Sequence, residues 1–235
     1  MTQFFYSDHV FGDTIILPED EAHHVLKVLR KNQGDTVLIV DGKGGWYKTV
    51  LETDKIQNCK LNIVDRKDEF GKPNYYIHIA LAPPKSHDRT EWFVEKAVEI
   101  GIQEISFVLT ENSERNNIKL NRIKARAVSS MKQSLKAYLP QINDILSIDD
   151  FIETCSNSEK YVGYLRDEDT TFLSKIAKPD DNYCVLIGPE GDFIPEEVDM
   201  ILNCDFQIIS LGKSRLRIET AGIAACHILN IINEK

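Results

Sequence analysis

Nowhere in the 235 residues does an apolar run approach the roughly 18 residues a membrane-spanning helix needs, so no membrane association is expected. The opening segment, Met1 to Tyr6, lacks a basic region followed by an apolar one, and no signal peptide is expected. Cysteine is sparse. Cys59, Cys155, Cys184, Cys204 and Cys226 are scattered, with no CxxC pair and no metal-like spacing. They read as buried or free thiols of a reducing cytoplasm, and no metal is expected. There is no internal repeat and no low-complexity tract. No strand-like run is followed by G-x-G-x-x-G, and there is no P-loop, so a nucleotide-like ligand would have to be held without a phosphate cradle.

The chain is 42% hydrophobic and 28% charged, enough for an ordinary core in one large domain or two smaller ones. A formal net charge of -9 and a pI near 5.2 argue, taken alone, against a nucleic-acid partner. The distribution says otherwise. From Ser113 to Tyr138 the basic residues are Arg115, Lys119, Arg122, Lys124, Arg126, Lys132 and Lys136, against Glu114 alone. Such a surface can contact phosphates; it can equally be a solvated helix face, and charge does not decide between them.

Residues 1 to about 70 read as a small β module. Thr14–Leu17, Thr36–Val40 and Lys60–Val64 are short β-branched runs, and Asp41-Gly42-Lys43-Gly44-Gly45 is a hairpin turn rather than a phosphate loop. Glu19 to Lys31 is predicted to be helical, with Ala22, Val25, Leu26 and Leu29 on one face and Gly34 as its stop. Glu69 to Asn74 reads as a linker. Beyond it strands alternate with helices. Strands are predicted at 76–82, 104–109, 160–165, 183–187 and 207–211, and helices at 91–100, 120–138, 171–177, 195–202 and 221–233. That alternation, with strands apolar on both faces, implies a parallel sheet covered on both sides.

Ligands of open α/β sheets bind at the carboxyl ends of the strands. Three loops stand there: Gly188-Pro189-Glu190-Gly191, Ser210 to Arg217, and Arg166-Asp167-Glu168. The first permits close backbone approach to a ligand, although a tight strand-to-helix turn would explain it too. Without a phosphate cradle, the ligand it suggests is one lacking phosphate, such as S-adenosylmethionine. The second loop places Lys213, Arg215 and Arg217 before an apolar helix, where Glu219 and Thr220 suit helix capping. Arginine there is suited to an anion, including one that develops during a reaction. Lys85 and Arg89 follow another strand, with Asp88 as a candidate cap. His23-His24 has no third ligand nearby, which leaves a structural or RNA-facing role.

Together these stretches resemble the RsmE-type ribosomal RNA methyltransferases. The resemblance runs through Phe4-Phe5, His23 to Arg30, Lys85 and Arg89 with Lys96 to Gly101, Gln133-Ser134, Gly188 to Gly191, and Leu211-Gly212 with Leu216 to Ala221. It implies a PUA-like RNA-binding β-barrel at 1–70 and a SPOUT α/β domain with a trefoil knot at 74–235. It also implies S-adenosylmethionine as methyl donor, N3 of a uridine in 16S rRNA of the 30S subunit as target, and a homodimer. The donor pocket would use Leu186, Ile187, Gly188, Pro189, Glu190, Gly191, Ser210, Leu211, Gly212, Arg215, Leu216 and Thr220. Arg217 would face the reaction with Arg89, and Glu219 is a candidate proton acceptor or a cap. RNA would meet His24, Arg30, Lys85, Arg115, Arg122, Arg126 and Lys136. The chain departs from the family at Asp192, where a second glycine is usual, at Arg215, where isoleucine is usual, and at Lys132-Gln133-Ser134-Leu135-Lys136, where Glu-Gln-Ser-x-Arg is common. A catalytically silent RNA-binding protein of the same fold is the alternative.

Overall fold

The structure, a computed structural model, describes residues 3–53, 55–164 and 171–234. Two compact units make up the chain: Met1–Lys72 with Val128–Leu139, and Pro73–Ala127 with Pro140–Lys235.

In the first unit, β1 (Phe4–Tyr6), β2 (Val10–Phe11), β3 (Thr14–Leu17), β4 (Thr36–Val40), β5 (Trp46–Leu51) and β6 (Cys59–Lys67) form one sheet in the order β1-β4-β5-β6-β3-β2. All its pairings are antiparallel except β1 with β4. Alternate residues point inward, so Ile15, Leu17, Val37, Ile39, Leu51 and Leu61 build a core closed by Ala22, Val25 and Leu26. The helix expected over 19–31 is shorter. An α-helix, α1 (Glu19–His23), passes into a π-helical turn at His24–Val28. Arg30, in the left-handed region at φ 55°, ends it, and Gly34 instead serves the turn before β4. The Asp41–Gly45 segment is a turn: Asp41 Oδ1 accepts the Lys43 and Gly45 N–H groups at 2.8 and 2.9 Å.

Residues 128–139, which the sequence placed in the second domain, pack with the first unit. Lys132 pairs with the buried Glu21. Gly44 N–H donates to the Ala137 carbonyl at 2.9 Å, and Leu139 N–H to that of Gly42 at 2.9 Å. A Cβ on Gly44 would lie 2.2 Å from the Tyr138 hydroxyl oxygen, so this passage requires glycine.

The second unit alternates strand and helix: β7 (Tyr76–Leu81), α2 (His87–Ile100), β8 (Glu104–Leu109), α3 (Leu120–Gln133), β9 (Gln141–Ser147), α4 (Ile148–Thr154), β10 (Glu159–Gly163), α5 (Leu173–Ile176), β11 (Asn182–Ile187), α6 (Pro195–Asn203), β12 (Gln207–Ile209) and α7 (Ile218–Asn233). The six strands are parallel, in the order β12-β10-β11-β7-β8-β9. β11 is buried from Tyr183 to Ile187, as a strand covered on both faces must be.

Several expected boundaries move. α2 starts four residues early because Ser86, not Asp88, caps it, its Oγ accepting Arg89 N–H at 3.3 Å. α3 stops at Gln133 because Leu135 is left-handed at φ 57°. β9 and α4 escaped notice because polar Asn143 and Asp144 interrupt the apolar run. Asn143 is satisfied by β8: its Nδ2 donates to Glu104 Oε1 at 2.7 Å and Ser106 Oγ at 2.8 Å. α7 begins at Ile218, with Arg217 at its N-cap and no side-chain cap, so neither Glu219 nor Thr220 plays the capping role. All five cysteines are free thiols, and all but Cys204 are buried.

Candidate active site

Strand order creates the site. β10 lies between β11 and β12, and their last residues fall in one row: Ile187 beside Gly163, Gly163 beside Ile209. This row floors a cavity of about 340 Å³ at the carboxyl ends of the strands. A side chain at Gly163 would rise beside Ile187, its Cβ standing 3.1 Å from Ile187 Cδ1.

One wall is the loop after β11. Gly188 is sterically required: a Cβ would meet the Phe193 ring at 2.7 Å. Pro189, Glu190 and Asp192 line the cavity. α6 then starts with Pro195 at its first position and a carboxylate, Glu197, beneath it. Glu197 Oε2 accepts the Ile194 N–H at 3.0 Å, and Oε1 accepts the Glu111 N–H at 2.8 Å. Asn112 Nδ2 donates to the Gly191 and Asp192 carbonyls at 3.3 and 2.9 Å. The loop after β8 therefore clamps the loop after β11 from outside.

The opposite wall is the loop after β12. Ser210 ties it into a turn, its Oγ accepting the Gly212 N–H at 3.2 Å, with Gly212 at φ 142°. Leu211, Gly212, Ser214, Arg215, Leu216 and Arg217 face the cavity, with Ile218 and Ala221 from α7 behind them. The lining is apolar below and backbone at the sides, and it carries two carboxylates, Glu190 and Asp192, and two guanidiniums, Arg215 and Arg217. The third loop, Arg166-Asp167-Glu168, lies outside the described residues.

Nine of the twelve expected donor-pocket residues line this cavity. Three do not. Leu186 points away from the cavity and is fully buried in the core with Ala80 and Phe193. Gly191 faces outward, where a Cβ would touch Asn112 at 3.1 Å. Thr220 is exposed on α7 and outside the lining. The floor residues Gly163 and Ile209, with Tyr164, were missed. Glycine inside a strand is itself a signal of close approach.

The family model described as an RNA methyltransferase domain matches residues 71–230, and one described as an RNA methyltransferase PUA domain matches 17–57. A Ribosomal RNA small subunit methyltransferase E from Mesomycoplasma hyopneumoniae is 31% identical over 172 residues, covering 70% of this chain and 73% of that protein. This chain belongs to the ribosomal RNA small subunit methyltransferase E family. A crystal structure of a probable rRNA-methyltransferase from Porphyromonas gingivalis shares 37% identity and a TM-score of 0.92, each chain covered to 98%. A methyltransferase E from Neisseria gonorrhoeae bound to S-adenosyl methionine, 24% identical, has the same fold, with a TM-score of 0.88 over 99% of this chain and 98% of that one.

The other residues that the methyltransferase E resemblance singled out are dispersed. Arg217 lines the cavity. Arg89 and Glu219 lie outside the lining and pair with each other, Arg89 Nε standing 3.6 Å from Glu219 Oε1. Glu219 is 6% exposed, and its Oε2 has no hydrogen-bond partner. Lys85 pairs with Glu114 at 2.6 Å, while its carbonyl accepts Arg115 Nη2 at 2.6 Å. Arg115 Nη1 also meets His87 Nε2 at 3.0 Å. Arg122 is 2.7 Å from Glu91, and Arg126 is 3.3 Å from Glu95, so two arginines of the basic window answer carboxylates of α2. In the first unit, His24 stands edge-on to Phe5, Arg30 is exposed and Lys136 is half-buried. Among the described residues no helix is long and apolar enough to cross a membrane.

Proposed function

We propose that this chain transfers the methyl group of S-adenosylmethionine to N3 of a uridine in 16S ribosomal RNA, using the cavity at the ends of β10, β11 and β12. The observation that carries this reading is the cavity's construction: an apolar floor, glycine-bearing backbone walls and an arginine at the rim. Flat apolar surface suits a purine, exposed backbone groups can read its edge, and the lack of a phosphate cradle suits a donor without phosphate.

When bound, S-adenosylmethionine supplies an electrophilic methyl group on a sulfonium. The residues position and stabilise. The loops after β11 and β12 hold the reactants in line, which supplies much of the acceleration. A uridine N3 becomes nucleophilic only as its proton leaves to water, and charge then spreads onto the flanking oxygens, with S-adenosylhomocysteine as the leaving group of the transfer. In this reading Arg217, which lines the cavity, stabilises that charge. Glu219, buried and 3.6 Å from Arg89, holds that guanidinium. In this reading it is a positioning residue, a role its absence from the cavity lining supports better than proton acceptance. The base must be unstacked to enter. Lys85, Arg115, Arg30 and His24 supply RNA contacts in this reading, as do Arg122, Arg126 and Lys136, with RNA phosphates displacing the carboxylate partners of the paired arginines.

The test is nucleoside mapping. Small ribosomal subunits from a deletion strain, treated with purified protein and S-adenosylmethionine, should gain one 3-methyluridine. A methyl group on another base or position, or none, rejects the target.

The reading includes a homodimer. α7 carries an outward face of Ile223, Ala224, His227, Ile228 and Ile231, and Ile231 is 52% exposed. It packs on α2, where Trp92 is 43% exposed; Gly222 lies so close that a Cβ would meet Phe93 at 2.6 Å. Apolar side chains on such a face suit a second copy of the same surface. Light scattering should give twice the chain mass, and Ile231→Glu should shift the protein toward monomer. A monomeric wild type rejects the dimer.

A further inference from the structure

Asp192 and Arg215 face the cavity from opposite walls, the loops after β11 and β12. Asp192 occupies a left-handed backbone position, φ 63°, where glycine would sit without strain. Its carboxylate is fixed there: Oδ1 accepts the Phe193 N–H at 2.9 Å, and Asn112 holds the Asp192 carbonyl at 2.9 Å. Among the described residues, Oδ2 accepts no hydrogen bond. Arg215 crosses from the loop after β12 toward the loop after β11, where Nη2 donates to the Glu190 carbonyl at 3.5 Å, the long limit of a hydrogen bond. Its remaining N–H groups have no partner among the described residues. The two charges sense each other: burial raises the Asp192 carboxyl above its usual range, while Arg215 acts to lower it.

Beside Glu190 and Arg217, the lining thus sets one anion and one cation, Asp192 and Arg215, on facing loops, each with unused hydrogen-bonding capacity. A ligand matching that pair carries an ammonium and a carboxylate on neighbouring atoms. We propose that Asp192 and Arg215 form a recognition pair for the amino-acid end of the methyl donor, Asp192 accepting from the ammonium and Arg215 donating to the carboxylate. This rests on the methyl-donor reading above.

Titration calorimetry with three adenosyl compounds tests it. S-adenosylmethionine has the amino-acid end and the sulfonium; S-adenosylhomocysteine has the amino-acid end alone; 5′-methylthioadenosine has neither. Asp192→Gly, which suits the backbone, and Arg215→Ala should each weaken the first two by about 10- to 100-fold, the value of a charge-assisted hydrogen bond, and leave methylthioadenosine within about twofold. Equal loss for methylthioadenosine would mean that the pair only shapes the cavity, and would overturn the proposal. Loss for S-adenosylmethionine but not S-adenosylhomocysteine would assign Asp192 to the sulfonium and overturn it too, as would unchanged affinities. A wild-type chain that binds none of the three removes the methyl-donor reading itself, and the recognition pair with it.

Discussion

Replacing Arg217 by alanine should lower methyl-transfer turnover by about 10²- to 10³-fold while S-adenosylmethionine affinity stays within a few fold, the pattern of a group that acts on charge developing in the transition state. The expectation follows from where the residue stands. Arg217 is the N-cap of α7, but only its backbone does helix work: the carbonyl accepts the Ala221 N–H at 2.8 Å, and no side-chain cap is made. The side chain is exposed at the rim of the cavity. Removing it should therefore change stability by no more than about 0.5 kcal/mol, as for other surface substitutions. Arg217→Lys adds a grading. It keeps the charge and loses the planar fork, so turnover should fall between wild type and alanine. Rates come from single-turnover transfer of labelled methyl to small-subunit RNA, and affinity from calorimetry. Turnover within about threefold of wild type in the alanine variant would remove Arg217 from the charge-stabilising role.

What the sequence revealed about this site, and what it hid, divides along a physical line. Gly188-Pro189-Glu190-Gly191 and Leu211-Gly212 were legible because breakers at the end of an apolar run announce a strand's carboxyl edge. Within those stretches, direction was harder to read. Leu186 and Ile187 are neighbours, yet strand alternation sends Leu186 into the core and Ile187 to the cavity floor. Thr220 lies off the lining for the helical counterpart of that reason. α7 begins at Ile218, so Ile218 and Ala221 share the cavity face while Thr220 turns outward. Other features could not be read locally at all. Glu197 reaches Glu111, and Asn112 reaches Asp192, across 86 and 80 residues of chain. The basic window illustrates the same limit: its charge was plain, but Glu91 and Glu95, which answer Arg122 and Arg126, each lie 31 residues earlier, on another helix. The fold class was the most legible part, because alternating strands and helices leave few ways to cover a parallel sheet.

Gly163→Val should cost about 100-fold or more in S-adenosylmethionine affinity, because the added methyls take space in the floor on which the ligand must rest. Gly163 sits in β10 between β11 and β12, in register with Ile187 and Ile209. Its backbone is not in the left-handed region, so no strain opposes a side chain. Valine also suits a strand better than glycine does. A Cβ would stand 3.1 Å from Ile187 Cδ1, the mobile end of a side chain that can yield by a few tenths of an ångström. Beyond it lies the cavity of about 340 Å³, near the small end of ligand sites, with little volume to spare. Folding and binding should therefore separate. Thermal unfolding should show a change of no more than about 1–3 kcal/mol, the range of modest overpacking. Gly163→Ala should fall between, losing only a few fold in affinity. Gly188→Val supplies the contrast. Its Cβ would meet the buried Phe193 ring at 2.7 Å, so stability and binding should fall together there. If Gly163→Val binds S-adenosylmethionine within about threefold of wild type, the donor does not rest on the β10 terminus, and the row of Ile187, Gly163 and Ile209 is not its floor.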